Sequence, residues 1–137
     1  MKERKPMHDN WETPFTLFEE EIFPRFMNKS YIDPCPLNAN FNGLEISWGK
    51  RAFVNPPYNR KDKEAFIIKA YEESKKGCHV IMLLPVSTST KIFHSHILPY
   101  AEIVFLKGRV KFRGINSKGE TVSNKCGMHD SMLVIFK

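Results

Sequence analysis

The chain has 137 residues, 42% hydrophobic and 26% charged, with 21 Lys and Arg against 15 Asp and Glu, a formal charge of +6. That length suits one domain over residues 1–137 with a core of its own, and it leaves little room for a separate recognition domain. Cys35, Cys78 and Cys126 are too few and too scattered for a disulfide framework, and no apolar run approaches the ~18 residues of a membrane helix, so secreted mini-proteins and helical membrane proteins are excluded.

A basic balance suits a polyanion such as nucleic acid, or simply a solvated face. The scattered cysteines fit a reducing cytosol, and the charged N-terminus lacks the apolar stretch of a signal peptide. There is no Cys-x-x-Cys pair. Cys126 and His129 have ligand-like spacing but no second pair to complete a metal site, so no metal is expected.

Residues 1–10 are polar and read as loosely ordered. Thr13 as N-cap and Pro14 as first residue predict a helix start. Phe15, Phe18 and Ile22 give that helix its apolar face, and Pro24 should end or kink it. Tyr31-Ile32 is a short strand running into Asp33-Pro34. Cys35 to Gly49 is rich in Asn, Pro and Gly and reads as mostly loop. Arg51 to Val54 is a second strand, broken by Pro56-Pro57.

Asp62 to Lys76 is the clearest helix, with Phe66, Ile67, Ala70 and Tyr71 on its apolar side and Gly77 as its stop. His79 to Leu84 is a continuous apolar run closed by Pro85, the pattern of a buried strand in a parallel sheet. Thr90 to Leu98 is a shorter helix, capped by Thr90, and Glu102 to Leu106 another buried strand. Gly108–Gly114 and Ser131–Phe136 read as a terminal antiparallel pair, linked by the polar segment 114–130. The alternation of strands and helices predicts an α/β fold with a mostly parallel sheet, an abbreviated Rossmann-like arrangement. Asp33, Asn55 and Pro85 then fall at the carboxyl ends of strands, where such folds bind ligands.

Asn55-Pro56-Pro57-Tyr58 is the segment with the most specific chemistry. An aromatic amine such as adenine N6 is a poor nucleophile, because its lone pair is delocalised into the ring. Acceptors around its N–H groups draw the nitrogen towards tetrahedral geometry and stabilise the positive charge that develops on it. An Asn side-chain oxygen and a neighbouring backbone carbonyl can be those acceptors. The prolines stiffen the loop, and Tyr58 offers a face for a base extruded from its stack. A rigid Pro-Pro turn after an edge strand is the structural alternative for so short a string.

Further segments of the chain accompany that loop. They are Asp9 to Pro14; Ile32-Asp33-Pro34-Cys35; Asn42-Gly43-Leu44 with Trp48; Lys69-Ala70; Leu83-Leu84-Pro85 with Thr88 and Thr90; Phe105 to Arg109; and Lys111-Phe112. Together, and in this order, they resemble the phage-type, Dam-like DNA N6-adenine methyltransferases over nearly the whole chain. The resemblance implies S-adenosylmethionine as methyl donor and DNA as substrate, with no membrane partner. It implies that Asn55, Pro56, Pro57 and Tyr58 receive a flipped adenine. Trp11, Thr13 and Pro14 would lie beside the methionine part of the cofactor. Asp33 and Pro34 would hold its amino-acid moiety, and Asn42 its ribose.

The chain departs from the wider methyltransferase pattern in two places. Cys35-Pro36-Leu37-Asn38 stands where many such enzymes have Gly-x-Gly. Asn42 stands where an acidic residue is common, so it would bind ribose hydroxyls only as a neutral group. Arg109 and Lys111 alternate with apolar residues and are candidates for phosphate contact, as Thr88 is for the substrate pocket, whereas Arg113 reads as a solvated edge residue. His94 and His96 are two apart on a predicted helix and face different ways.

The expected setting is a bacterial cytoplasm, with phage DNA protected against host restriction, and a homodimer is one way to supply target specificity. Two other readings stand beside this one. One is a non-catalytic nucleic-acid-binding protein that kept the loop and lost the cofactor site. The other is the same chemistry directed at a protein amide or at RNA.

Overall fold

The computed structural model describes residues 11–37, 39–115, 121–126 and 130–137, and for Trp11, 111–115 and 121–126 it describes the backbone alone. The expected loose order of residues 1–10, the Asn38 position and His129 lie outside the described residues.

The chain is α/β. Strand β1 (Trp11–Glu12) precedes a helical run made of α1 (Phe15–Leu17), a π turn (Phe18–Ile22) and α2 (Phe23–Arg25). The wide turn ends two residues before Pro24, whose missing N–H and bulky ring would disrupt a regular helix, and the run continues through Pro24 before ending. Met27 and Asn28 then take positive φ and turn the chain back towards the sheet. The helix begins one residue later than the sequence suggests. Its N-cap is Pro14, with no side-chain cap, and Thr13 is engaged elsewhere.

β2 (Arg51–Val54) leads through the Asn55 loop into α3 (Arg60–Lys75), which is capped by the Asn59 side chain accepting the Asp62 N–H. β3 (His79–Pro85) follows, then a π-helical turn (Phe93–Ile97) and β4 (Glu102–Phe105). β5 (Lys111–Ile115), β6 (Thr121–Cys126) and β7 (Ser131–Phe136) complete the described elements.

The main sheet has four strands in the order β2-β3-β7-β4. β2 and β3 are parallel, and β7 is antiparallel to both β3 and β4. β2, β3 and β4 therefore run the same way, with β7 reversed between the last two. Ile32 extends this set as a parallel bridge to Ala52. A second sheet has the order β1-β5-β6, antiparallel throughout.

These pairings correct three expectations. The sheet is mixed rather than mostly parallel. β7 does not pair with β5; its uninterrupted apolar sequence fits the position between two strands of the main sheet, where both faces are covered. β5 pairs instead with β6, inside the segment expected to be a polar linker. The third correction concerns β4, expected to be a buried strand: it is an edge strand with exposed ends, Phe105 being 64% exposed.

Alternate residues of the central strands feed two cores. Ala52, Val54, Val80, Met82, Leu84, Val134 and Phe136 meet Phe66, Ile67 and Ala70 of α3 and the helical residues Phe93 and Ile97. Phe53, Ile81, Leu83, Leu133 and Ile135 face the other way, onto Ile22 and Phe26 of the N-terminal helical run. Helices thus cover both faces, which is why β3 and β7 read as unbroken apolar runs.

Candidate active site

The carboxyl ends of Ile32, β2 and β3 lie along one edge of the sheet, because these three segments are parallel neighbours. Ile32 donates its N–H to the Arg51 carbonyl at 3.0 Å and accepts from Phe53 N–H at 3.0 Å. Asp33 leaves the sheet beside the strand that ends in Asn55.

Asn55 is buried, 5% exposed, in a loop whose Pro56 and Pro57 are buried too. Its Nδ2 donates to Oγ1 of Thr13 at 3.1 Å, a bond spanning 42 residues of sequence. Thr13 is itself 7% exposed. With Nδ2 turned to Thr13, the amide is oriented so that Oδ1, an acceptor, points away from that hydroxyl. The N-terminal segment and the Asn-Pro-Pro-Tyr loop are thereby brought together. Tyr58 packs against the Phe53 face of the core, and burial raises its phenol well above the ordinary tyrosine range. It stays neutral at any physiological pH and cannot serve as a base.

Asp33 keeps an open surface, yet its surroundings desolvate the carboxyl and push it up to about 6, against the lowering effect of the Cys35 N–H, which donates to Oδ1 at 3.0 Å. A carboxylate in that state is stabilised by a cation brought next to it. Pro34, directly after it, is buried against Gly43: a Cβ at Gly43 would sit 1.8 Å from the Pro34 carbonyl oxygen, so only glycine permits the approach.

Asn42 has a structural task. Its Oδ1 accepts the Leu44 N–H at 3.0 Å and caps a short 3-10 turn, Gly43–Glu45. Trp48, fully buried, donates its indole N–H to the Gly43 carbonyl at 2.9 Å. Its backbone N–H goes to Glu73 of α3 at 2.6 Å. Glu73 is 2% exposed and also meets Lys76 at 3.2 Å and Lys69 at 3.6 Å. Sequence reading passed over this residue, because a Glu near a helix end looks like solvated surface.

The remaining candidates are more dispersed. Thr88 is exposed on the segment after β3, and its carbonyl meets His94 Nε2 at 2.8 Å. Thr90 turns that segment, donating to the Ser87 carbonyl at 2.9 Å. Arg109 precedes β5 rather than lying in it and pairs loosely with Asp130 at 3.8 Å. Lys111 begins β5 opposite Cys126, and Arg113 faces Glu12 in the pairing with β1. Trp11 pairs with Gly114 through the backbone, so β1 anchors the small sheet one residue before Thr13.

At the strand ends a carboxylate raised by desolvation lies on the strand neighbouring a buried, oriented amide, a pair that suits a cationic ligand. No helix among the described residues is long and apolar enough to cross a membrane.

The chain is similar to known proteins over most of its length. A protein of Haemophilus phage HP1 (strain HP1c1) named DNA N-6-adenine-methyltransferase is 28% identical over 148 residues, covering 98% of this chain and 82% of that protein. A protein of the same name from Escherichia phage T1 is 38% identical over 68 residues, 48% of this chain and 28% of that protein. No solved structure matches. The family model for DNA N-6-adenine-methyltransferase (Dam) matches residues 1–137, and the chain belongs to that family.

Proposed function

We propose that this protein transfers a methyl group from S-adenosylmethionine to N6 of adenine in DNA, at the carboxyl edge of the main sheet. The observation that carries this reading is the Thr13–Asn55 hydrogen bond, which orients a buried amide at the end of β2 in a chain of this family. The parallel run of Ile32, β2, β3 and β4, with helices on both faces, supports a shortened Rossmann-like methyltransferase domain over residues 1–137.

The bound cofactor supplies a methyl group already activated on a sulfonium. Asp33 holds its cationic amino-acid end, with Pro34 shaping the turn and Asn42 offering neutral amide N–H groups to ribose. Trp11, Thr13 and Pro14 lie along the methionine part. Asn55 Oδ1 and the Pro56 carbonyl accept the two N6–H bonds of a flipped adenine. They direct the nitrogen lone pair and stabilise its developing charge. Pro57 stiffens the loop and Tyr58 supports the base with its ring. Because Thr13 belongs to the cofactor segment and Asn55 to the base segment, their bond sets donor and acceptor in register, and such positioning supplies a large part of a transfer rate. Thr88, Arg109 and Lys111 contribute to the DNA side. The similar proteins are phage proteins, which supports a reading in which the chain acts on phage DNA inside a bacterial host.

The test is transfer of labelled methyl groups from S-adenosylmethionine to unmodified DNA, beside Asn55→Ala. Label recovered as N6-methyladenine with the parent chain and lost with the variant supports the reading. No incorporation, together with no thermal stabilisation by the cofactor, overturns it.

A further inference from the structure

We propose that the cleft between the first turn of α3 and the segment Thr90–Ile92 binds the phosphodiester backbone next to the flipped adenine. This rests on the reading that the chain acts on DNA. The cleft has a volume of about 360 Å³ and is lined by Arg60, Lys63, Glu64, Thr90, Lys91 and Ile92.

Its position follows from the sheet. β2 and β3 are adjacent and parallel, paired from Arg51 with His79 to Val54 with Met82. The chain therefore leaves both strands at the same edge. After β2 it forms the Asn55–Tyr58 loop and enters α3 at Arg60; after β3 it runs to Thr90. The cleft lies between these two outgoing segments. A base held by Asn55 is separated from its own phosphates only by the sugar, so those phosphates cross the same edge of the molecule.

The charges around the cleft match that occupant. Three cations line it against one carboxylate, and that carboxylate, Glu64, already pairs with Arg60 at 2.9 Å. Lys63 and Lys91 make no ion pair with any described carboxylate. Thr90 uses its hydroxyl to hold the turn, which sets Lys91 opposite α3.

The order of charge along α3 is a second observation. Its first turn carries Arg60, Lys61 and Lys63 against Asp62 alone, whereas near its end Glu72 and Glu73 are balanced by Lys75 and the C-cap Lys76. A helix is favoured by the opposite arrangement, since its N-terminus carries partial positive charge. The Arg60–Glu64 pair likewise has its cation on the N-terminal side, the weaker order. These cations thus work against the helix that bears them, and an incoming phosphate backbone removes the conflict.

A second basic cleft, about 470 Å³, is lined by Arg25, Lys29, Lys50, Arg51 and His79 at the amino ends of β2 and β3. It lies at the other end of the sheet from Asn55 and provides a control from which the same number of charges can be removed.

The experiment compares three doubly substituted proteins with the parent in equilibrium binding of an adenine-containing oligonucleotide, single-stranded and duplex, across a salt series without cofactor. Lys63→Gln/Lys91→Gln is expected to weaken binding about tenfold and to flatten the slope of log K against log salt by about 1.4–1.8. Its Tm stays level or rises by about 1–3 °C, because a cation has left a helix N-terminus. Lys63→Arg/Lys91→Arg retains binding. Lys29→Gln/Lys50→Gln, with the same loss of charge, changes the slope by less than half as much. Equal weakening by the two Gln pairs, no weakening by Lys63→Gln/Lys91→Gln, or no DNA binding by the parent overturns the proposal. If cleft-dependent binding is found but the parent transfers no methyl group, the functional reading fails and the cleft stands. If transfer proceeds with an unchanged KM for DNA in Lys63→Gln/Lys91→Gln, the cleft fails and the functional reading stands.

Discussion

The loop from Pro34 to Trp48 is held in a different way at each end. At Trp48 it is fastened to α3 by Glu73, a buried carboxylate satisfied from within the protein. Burial by itself would raise that carboxyl, but the Trp48 N–H and the neighbouring Lys76 and Lys69 outweigh it and hold the group below its ordinary value. At the other end Asp33 takes one backbone N–H, from Cys35, and desolvation prevails, lifting it to about 6. Glu73 is held as an anion by partners within the protein, whereas the Asp33 anion has one backbone N–H and gains from a cation brought beside it. A carboxylate whose partners come from the fold marks structure, and one left short of them is a candidate binding position.

Substitution on each side of this contrast should give opposite signatures. The largest effect is expected at Asn55. Asn55→Ala removes the acceptor proposed to meet the base and should lower the transfer rate about 100- to 1,000-fold. Its folding free energy should fall by only about 1 kcal/mol, for one buried hydrogen bond. Stopped-time transfer assays beside urea unfolding measure both. Glu73→Ala should do the reverse: a loss of about 2 kcal/mol in unfolding free energy, from the buried Trp48 N–H left unsatisfied, with little change in rate per folded molecule. Glu73→Gln keeps an acceptor and should recover about half of that loss. If Glu73→Ala instead abolished transfer in fully folded protein, the division between a structural and a functional end would fail. Thr13→Val frees the Asn55 amide to turn and should slow transfer about tenfold, with cofactor affinity changed less than the rate.

The central strands and α3 were legible because two-sided burial writes itself as unbroken apolar sequence, and one-sided burial as a helical stripe. His79–Pro85 and Phe66-Ile67-Ala70 are cases of each. The placement of Asn55 at a strand end was legible for the same reason. Strand order was not. Ser131–Phe136 announces that both its faces are covered, but not that its neighbours are β3 and β4. Thr121–Cys126 reads as a linker because its pairing with β5 runs through the backbone, which carries no residue signature. At the site, Thr13 looked like a helix cap since that is the local use of Thr before Pro. Its actual partner is 42 residues away, and Glu73 meets Trp48 across 25. Local pattern cannot report such bonds.

The Asp33 contrast also has a sign in pH. A carboxyl raised in the folded state binds its proton more tightly there than in the unfolded chain. Its contribution to stability is therefore fully present below the ordinary pKa of 3.8 and declines as pH rises towards 6. Glu73, held low, acts the other way and loses its contribution as pH falls through its lowered pKa. On the proposed reading the cationic end of S-adenosylmethionine is held by ionised Asp33, so affinity should rise with pH up to about 6 and then level off. At one pH unit below that midpoint it should be about tenfold weaker than on the plateau. Binding below the midpoint should release a proton, which calorimetry in buffers of different ionisation enthalpy detects. Asp33→Asn should bind weakly, show no rise over this range and release no proton. A pH-independent affinity in the parent chain would remove Asp33 from the cofactor site and leave its raised carboxyl as a feature of the loop alone.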